Sequence, residues 1–476
     1  MRCLAIWWCW KKRKLQTSRI LCCRFLCMAK IIGAKKVMTF KEINFDGLIG
    51  PTHNYGGLSE GNVASQKNID QVSNPKMAAL QGLQKMELLL DEGLHQGIFL
   101  PHERPYLKIL KEFGYSGSGT EIINDVSKSN KLLLKNIYSA SSMWAANTAT
   151  FSSKLDSLDN KNHLTPANLN SMFHRSIEKD FVTNQLNDIF GQIASIHQPR
   201  PTIGAFGDEG AANHLRVSSS HSKEGFQVFV HGGSAFEYDK LVKRQALEIS
   251  SSICKSHKLD ETKVFFLQQN QEAIREGSFH NDIVSLANEN VFIAHEKAFE
   301  NKADLNQLIG ILKANVNNFS YLEIPDALIN LKDLVSSYLL NSQLVTKSDN
   351  QMMIIFPSEV QEYSNCGSWI DSLTENSPID SIKYVDIRQS MMNGGGPACL
   401  RFRATFEENE ISKINSSYLM DHHKIQSIKD LVGKHYRDKL HPDDLADPSL
   451  MEESYLFLDE LTALLNLGSI YSFQKT

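Results

Sequence analysis

Cysteine is scarce in most of this chain. Five of the eight cysteines lie within residues 1–37, and only Cys254, Cys366 and Cys399 occur in the remaining sequence. Three widely spaced cysteines provide neither a disulfide framework nor a Cys-x-x-Cys zinc knuckle. We therefore expect residues 38–476 to function in a reducing, cytoplasmic environment.

Motifs that bind phosphate or metal are also absent. The glycine-rich loops contain neither Gly-x-Gly-x-x-Gly nor Gly-x-x-x-x-Gly-Lys-Ser/Thr, so nothing supports the binding of a nucleotide phosphate. Neither His-Glu-x-x-His nor an EF-hand pattern occurs. The nearest approaches to a metal-ligand cluster are His102-Glu103 and His422-His423. We expect no cofactor and no required metal.

Acidic residues are missing from the first segment and in excess elsewhere. Residues 1–37 hold ten of the 50 Lys and Arg and no Asp or Glu, which leaves 40 basic and 54 acidic side chains, a net charge of −14, for the rest. This acidic body argues against a nucleic-acid partner. The apolar run Leu4–Trp10 is too short to span a membrane, and its basic residues follow it, unlike those of a secretory signal. We interpret residues 1–37 as upstream sequence outside the fold, with Met38 as the functional start, and expect no membrane partner.

Short β-rich runs alternate with helical patterns along residues 38–476. The predicted strands are Phe226–His231, Val264–Gln268, Val291–His295, Met352–Phe356 and Leu400–Phe406, which are β-branched or aromatic. The predicted helices, with apolar residues at three- and four-residue spacing, are Lys76–Glu92, Leu241–His257, Ala303–Val316, Lys424–Lys439 and Glu452–Leu467. This alternation indicates an α/β or α+β core. No linker divides residues 38–476, which we interpret as one large domain.

Cys399 is the strongest candidate for a nucleophile. It follows a glycine-rich loop and begins the predicted strand, in which Arg401 and Arg403 share its face. Neighbouring positive charge lowers the pKa of a thiol and favours the reactive thiolate. The alternative is a small buried apolar residue. Cys254, in a predicted helix, and Cys366, in a predicted polar loop, are weaker candidates.

Two further segments carry groups suited to proton transfer. If Phe279–Asp282 is a strand, His280 and Asp282 project from the same face. Imidazole transfers protons near neutral pH, and a carboxylate accepts paired hydrogen bonds from a guanidinium. Glu209, in a loop between glycines, could orient a catalytic histidine. The alternatives are a surface histidine in a turn and a solvated acidic turn.

Ten segments, taken together and in order, resemble the N-succinylarginine dihydrolases. They are Asn44–Ser65, Val72–Pro75, Pro101–Pro105, Ser139–Ala149, Phe173–Ser176, Gly207–His214, Phe279–Asp282, Asn341–Leu344, Asn393–Arg401 and Leu465–Tyr471. The resemblance runs from about residue 42 to 474 and excludes the first 37 residues. It implies a single large α/β domain of the pentein type, a five-bladed propeller of ββαβ units with pseudo-five-fold symmetry.

The resemblance also implies an activity. Members of this family hydrolyse N2-succinylarginine with two waters to N2-succinylornithine, two ammonia and carbon dioxide, in arginine catabolism, as cytoplasmic homodimers without a cofactor. The alternatives are an arginine deiminase-like enzyme or an amidinotransferase of the same fold, or a non-catalytic pentein that only binds a partner. A papain-like protease is disfavoured, because Cys-Gly-x-Cys-Trp is absent and the cysteine follows the histidine.

Roles follow from the resemblance position by position. Cys399 matches the nucleophile, His280 the catalytic base and acid, and Glu209 its acidic partner. The substrate-binding positions are Gly56, Gly57, Leu58, Ser59, Glu60, Gly61, Asn62, Val63, Ala64, Ser65, Asn147, His174, Arg175, Arg244, Asp282 and Asn393. Within this set Glu60 and Val63 depart from the family pattern.

Overall fold

The computed structural model describes residues 38–59, 61–237, 244–347 and 350–475. The predicted N-terminal extension, residues 1–37, lies outside the described residues. From Phe40 onward the chain forms one compact unit. None of the helices in the described ranges has the length and apolar character that crossing a membrane demands.

Fifteen strands and sixteen α-helices make up the described part of the chain. The strands are β1 (Phe40–Gly47), β2 (His95–Phe99), β3 (Ala149–Ser152), β4 (Asn162–Pro166), β5 (Ala194–Ile196), β6 (His214–Ser218), β7 (Gly225–His231), β8 (Val264–Gln268), β9 (Ser285–Asn288), β10 (Val291–His295), β11 (Ser320–Ile324), β12 (Gln343–Thr346), β13 (Met352–Pro357), β14 (Ile379–Val385) and β15 (Arg401–Glu407). The helices are α1 (Val63–Lys67), α2 (Pro75–Asp91), α3 (Leu107–Glu112), α4 (Gly119–Ser129), α5 (Lys131–Tyr138), α6 (Phe173–Ser176), α7 (Lys179–Phe190), α8 (Leu247–Ser256), α9 (Gln271–Arg275), α10 (Lys302–Asn315), α11 (Leu331–Ser337), α12 (Ser364–Asn376), α13 (Arg388–Met391), α14 (Glu408–Ile411), α15 (His422–His435) and α16 (Pro448–Leu464).

The strands form five sheets of three strands each, with one pattern repeated. The orders are β15-β1-β2, β3-β4-β5, β6-β7-β8, β9-β10-β11 and β12-β13-β14. In every sheet the middle strand is antiparallel to the first strand and parallel to the third. A parallel pair needs a long crossover, which α2, α7, α8, α10 and α12 provide in turn. The five ββαβ units implied by the resemblance are therefore confirmed.

The first unit is assembled from both ends of the described chain. β15 pairs antiparallel with β1 over seven residue pairs, from Phe40 opposite Glu407 to Asp46 opposite Arg401. One side of β15 packs Phe402, Ala404 and Phe406 into a large apolar core. This pairing joins the last unit of the chain to the first.

Most predicted elements are confirmed, with shifts at their ends. Val264–Gln268 and Val291–His295 are strands as predicted, and β10 is buried throughout. α15 ends at His435 rather than Lys439, because Tyr436 takes an extended conformation. α16 begins earlier than predicted, where Asp447 caps it through Ser449 N and Pro448 occupies its first turn.

The predicted helix Leu241–His257 differs at its start. The structure begins this helix at Leu247, and residues 241–243 lie outside the described residues. The predicted strand Leu400–Phe406 also shifts, because β15 begins at Arg401 and leaves Leu400 in the preceding turn.

Candidate active site

Each ββαβ unit contributes a polar side chain from the segment just before its first strand. These residues are Asn147 before β3, Glu209 before β6, His280 and Asp282 before β9, Asn341 before β12 and Cys399 before β15. Side chains from five distant parts of the sequence thus meet at one end of five short strands.

Hydrogen bonds link these five segments into a closed ring. Asn147 Nδ2 donates to the main-chain oxygen of Glu209 (2.7 Å), and His280 Nε2 lies 3.2 Å from Glu209 Oε2. Asn341 Nδ2 reaches the main-chain oxygen of Asp282 (3.3 Å) and Cys399 Sγ (3.1 Å). Ala146 N then donates to the Cys399 oxygen (3.1 Å) and returns the ring to its first segment. The ring fixes the position of Cys399 relative to His280 and Glu209.

The Cys399 thiol is 2% exposed and lies between two polar groups. It donates to Asp282 Oδ2 at 3.2 Å and accepts from Asn341 Nδ2 at 3.1 Å. Burial and the Asp282 carboxylate raise the pKa of the thiol well above its usual range. Both effects favour the protonated thiol over the thiolate.

The predicted lowering of the thiol pKa by nearby arginines is wrong. Arg401 opens β15 and interacts with the carboxylates of Glu42, Asp46 and Asp282, so those acids balance its charge. Arg403 donates to Asn288 Oδ1 on a neighbouring sheet. Burial and the adjacent Asp282 carboxylate have the largest effects on the thiol pKa instead.

Glu209 is buried and held in its ionised form. Its Oε2 lies 2.8 Å from Arg175 Nη1 as well as 3.2 Å from His280 Nε2, and its Oε1 accepts from Ser171 Oγ at 2.9 Å. Burial alone would raise the pKa of Glu209, but Arg175 and His280 lower it well below the usual range. A fixed anion next to an imidazole orients the ring.

Phe279–Asp282 does not form the strand considered for it, yet His280 and Asp282 still lie close together. His280 is extended, but Asn281–Ile283 form a single 3-10 turn. Asn281 causes this turn, because its N–H donates to Asn213 Oδ1 and its side chain accepts from Ser285 Oγ, which replaces sheet hydrogen bonds. His280 and Asp282 still reach the same region around Cys399.

A small cavity of about 210 Å³, open to solvent, joins Cys399 and His280 to part of the predicted binding set. Its lining residues are Ser59, Asn62, Trp144, Asn147, Arg175, Arg244, Phe279, His280, Gly394 and Cys399. Sequence reasoning did not single out the two aromatic residues. The guanidinium of Arg244 lies 4.5 Å from the Phe279 ring, and that of Arg175 lies 5.4 Å from Trp144, which are cation–π distances. Both aromatics lie in segments that carry the family resemblance.

Most of the remaining predicted binding residues line a second cavity of about 540 Å³. Gly56, Gly57, Leu58, Ser59, Ser65, His174 and Asn393 line it, and it shares Ser59 and Trp144 with the first cavity. Asn62 links the Gly56–Ser65 loop to the segment that contains Asn393. Its side chain accepts a hydrogen bond from Ser65 N and donates one to the main-chain oxygen of Asn393. Gly394 has φ +102°, and an added Cβ there would meet Asn62 Nδ2 at 1.9 Å, so only glycine fits.

Several predicted residues lie apart from the thiol. Val63 and Ala64 line a groove of about 1140 Å³ that shares Asn62 and Phe279 with the cavity at Cys399 but does not include Cys399, and Val63 is 54% exposed. Gly61 adopts φ +80° in the turn before α1, and Glu60 lies outside the described residues.

The other two cysteines of the body are buried away from the cavity. Cys254 lies in α8 as predicted, and Cys366 lies in α12, so its predicted polar loop is wrong. Burial raises the pKa of both thiols, in the case of Cys254 to about 11. Neither thiol shares the polar partners of Cys399.

Comparison with known proteins covers nearly the whole chain. The family model for succinylarginine dihydrolase matches residues 39–474. The N-succinylarginine dihydrolase of Pseudoalteromonas translucida (strain TAC 125) is 46% identical over 441 residues, which cover 91% of this chain and 98% of that protein. That of Shewanella amazonensis (strain ATCC BAA-1098 / SB2B) is 45% identical over 443 residues, with coverage of 91% and 99%.

Among solved structures, the N-terminal domain of ArgZ, an arginine dihydrolase from cyanobacteria, superimposes with a TM-score of 0.46 and 11% identity over 77% of this chain and 98% of that domain. The family model and the two relatives, by contrast, match this chain in sequence over almost its full described length. The chain therefore belongs to the succinylarginine dihydrolase family.

Proposed function

We propose that this chain hydrolyses N2-succinylarginine with two waters to N2-succinylornithine, two ammonia and carbon dioxide, as a step of arginine catabolism. One observation carries the proposal: Cys399 and His280 line the same cavity, and each contacts a buried carboxylate, since Asp282 Oδ2 lies 3.2 Å from Cys399 Sγ and Glu209 Oε2 lies 3.2 Å from His280 Nε2. Family relatives that bear the name N-succinylarginine dihydrolase support the choice of substrate.

Asp282 is the proposed acceptor for the substrate guanidinium. A carboxylate accepts two parallel N–H bonds from a planar guanidinium, which holds the group flat. Asp282 Oδ2 already lies 3.2 Å from Cys399 Sγ, so a guanidinium bound there presents its carbon to the sulfur. The cation also offsets the carboxylate charge that raises the thiol pKa. Substrate binding thereby favours the thiolate at the moment it is needed.

The proposed reaction passes through a covalent bond to Cys399. The thiolate attacks the guanidinium carbon, and protonated His280 donates its proton to the leaving nitrogen, which departs as ammonia. Neutral His280 then accepts a proton from water, whose oxygen bonds to the same carbon. The imidazolium returns this proton to the second nitrogen, which leaves as ammonia. A second water, which gives a proton to His280, then adds to the carbon of the remaining thiocarbamate; the C–S bond breaks and Cys399 departs as the thiolate. The resulting carbamate takes up a proton and loses carbon dioxide to leave the ornithine amine. Glu209 stabilises the imidazolium whenever it forms, because the Glu209 carboxylate remains ionised.

The two cavities match the two ends of the substrate. We assign the guanidinium to the cavity at Cys399 and the succinylated end to the adjoining cavity lined by Gly56–Ser59 and His174. Two carboxylates of the substrate require cations or N–H donors. Arg244 supplies a guanidinium beside the boundary, and Gly56 and Gly57 supply main-chain N–H groups with no side chain in the way.

The test counts products for the purified protein. Incubation with N-succinylarginine should release two ammonia for each succinylornithine formed, and free arginine should not be a substrate. An arginine deiminase-like reaction would release one ammonia, an amidinotransferase none, and a non-catalytic pentein would leave the substrate intact. Any of these three results would contradict the proposed reaction.

Two further properties belong to the same proposal. We propose a homodimer that operates in the cytoplasm, with no nucleic-acid or membrane partner. The three cysteines of the described residues are all free, which suits a reducing compartment. Light scattering on the purified protein, and fractionation of the source cells, would test assembly and location separately.

A further inference from the structure

Asn341 completes the ring of five units but has no role in the reaction described so far. It precedes β12 and is fully buried. Its Nδ2 donates to Cys399 Sγ at 3.1 Å and to the Asp282 main-chain oxygen at 3.3 Å, and its Oδ1 accepts from Cys399 N at 3.4 Å. One carboxamide therefore contacts both segments that present reactive groups.

The glycine loop before the nucleophile is shaped around this carboxamide. A Cβ at Gly396 would meet Asn341 Oδ1 at 2.4 Å and the Asn341 main-chain oxygen at 2.8 Å. That same main-chain oxygen accepts from Ala398 N at 3.1 Å. Glycine at position 396 thus permits the loop to close on Asn341 and bring Sγ into reach.

The surrounding groups fix which end of the carboxamide faces the sulfur. Oδ1 faces a donor, the Cys399 N–H, whereas Nδ2 faces two acceptors, the Asp282 oxygen and Sγ. The reverse orientation would place two oxygens together and two N–H groups together. The sulfur therefore receives an N–H donor.

An N–H donor stabilises a thiolate more than a thiol, because a hydrogen bond to an ionised partner is the stronger one. Asn341 stays neutral while His280 gains and loses its proton. Its donor is therefore present whenever the sulfur carries negative charge, both when it attacks and when it leaves the carbon.

We propose that Asn341 is a catalytic residue that donates a hydrogen bond to the Cys399 sulfur and stabilises the thiolate as nucleophile and as leaving group. The inference rests on the proposed covalent reaction. It predicts that removal of the Asn341 donor raises the pKa of the Cys399 thiol, in addition to any loss of stability from lost packing.

The first test measures the thiol without substrate. The rate at which iodoacetamide alkylates the Cys399 peptide is followed by mass spectrometry against pH, in the wild type and in Asn341→Ala. Loss of one hydrogen bond to an anion should raise the midpoint of this profile by about one pH unit. Asn162→Ala is the matched control: it removes another buried carboxamide, which donates to the Ile193 oxygen at 2.9 Å, and should not move the midpoint.

The second test measures turnover of N-succinylarginine. Asn341→Ala should lower kcat about tenfold to a hundredfold with little change in KM, since the lost contact is to the reacting atom. Asn341→Ser is the second variant, because its hydroxyl is too short to replace Nδ2 at the sulfur but keeps a polar group in the site if Ala prevents folding. It should shift the alkylation midpoint in the same direction.

The alkylation profile and the turnover measurement together distinguish failure of the Asn341 proposal from failure of the proposed function. An unchanged midpoint together with an unchanged kcat in the folded variants would overturn the role of Asn341 and leave the proposed function intact. A shifted midpoint in a protein that does not consume N-succinylarginine would support the donor and contradict the proposed function.

Discussion

Replacing Asp282 by asparagine should make the thiol more reactive and the enzyme less active. In the structure the carboxylate lies 3.2 Å from Cys399 Sγ, and with burial it raises the thiol pKa. Asp282→Asn keeps the shape and an acceptor oxygen but removes the negative charge. The thiolate then loses its unfavourable neighbour, whereas the substrate guanidinium loses its counter-charge.

The magnitude follows from the distance. Two unit charges about 3.2 Å apart interact by roughly 5 kcal/mol at an effective dielectric constant of about 20, or nearly four pH units at most. Neighbouring charges commonly shift the pKa of a protein group by about one to three units, and we expect the thiol pKa to fall by such an amount. Because Cys399 is mostly protonated at pH 7, its alkylation there should accelerate about tenfold or more.

The assay compares three thiols in one protein. Iodoacetamide labelling of Cys399 is measured against pH in the wild type and in Asp282→Asn, with the buried Cys254 and Cys366 as internal references whose profiles should not change. Turnover of N-succinylarginine is measured in parallel and should fall by a factor of 10² or more. A midpoint for Cys399 that stays the same or rises in Asp282→Asn would refute the electrostatic reasoning, whatever happens to turnover.

Four further predictions concern other changes to the chain. Cys399→Ser should abolish turnover but retain substrate binding by calorimetry, and normal turnover in this variant would exclude the Cys399 thiolate as the nucleophile. His280→Ala should lower kcat roughly 10²–10⁴-fold. Arg175→Ala should lower kcat as well as raise KM, because it leaves the buried Glu209 carboxylate without its main cation. For the same reason it should lower the free energy of unfolding by about 3–5 kcal/mol, measured by chemical denaturation. A change in KM alone would show that Arg175 contacts only substrate. Deletion of residues 1–37 should leave folding and turnover unchanged, and loss of either would show that the segment belongs to the working protein.

The local elements could be predicted because their signals are local. β8 and β10 are short β-branched or aromatic runs bounded by turn residues, and they occur where the pattern places them. α15 ends at His435 because Tyr436 takes an extended conformation. The packing of Tyr436 determines that conformation, and the periodicity of apolar residues does not reveal it. The pairing of β1 with β15 joins residues more than 350 positions apart, and no pattern within either strand specifies the other.

The clustering of Cys399, His280, Glu209 and Asp282 was predicted from the sequence, but the charges that act on the sulfur were not. Sequence neighbours suggested that Arg401 acts on Cys399, but the sulfur instead faces Asp282, a residue 117 positions away. Arg175 was expected to bind substrate, and in the structure one of its nitrogens pairs with Glu209. Both differences arise because charge interactions depend on distance in space, which the sequence does not contain.

Asn341 illustrates what the repeated architecture adds to a sequence motif. Its segment is one of the ten that carry the family resemblance, yet the motif alone assigns it no task. Once the five sheets are aligned, Asn341 occupies the position that in the other units holds Asn147, Glu209, His280 with Asp282, and Cys399. A side chain at this position is set by the first strand of its unit and by hydrogen bonds to the adjacent segments, so its geometry is as rigid as the sheet behind it. Because Asn341 occupies the same position in its unit as these residues do in theirs, we expect it also to act on the substrate or on the attacking sulfur. This reason is independent of any sequence motif.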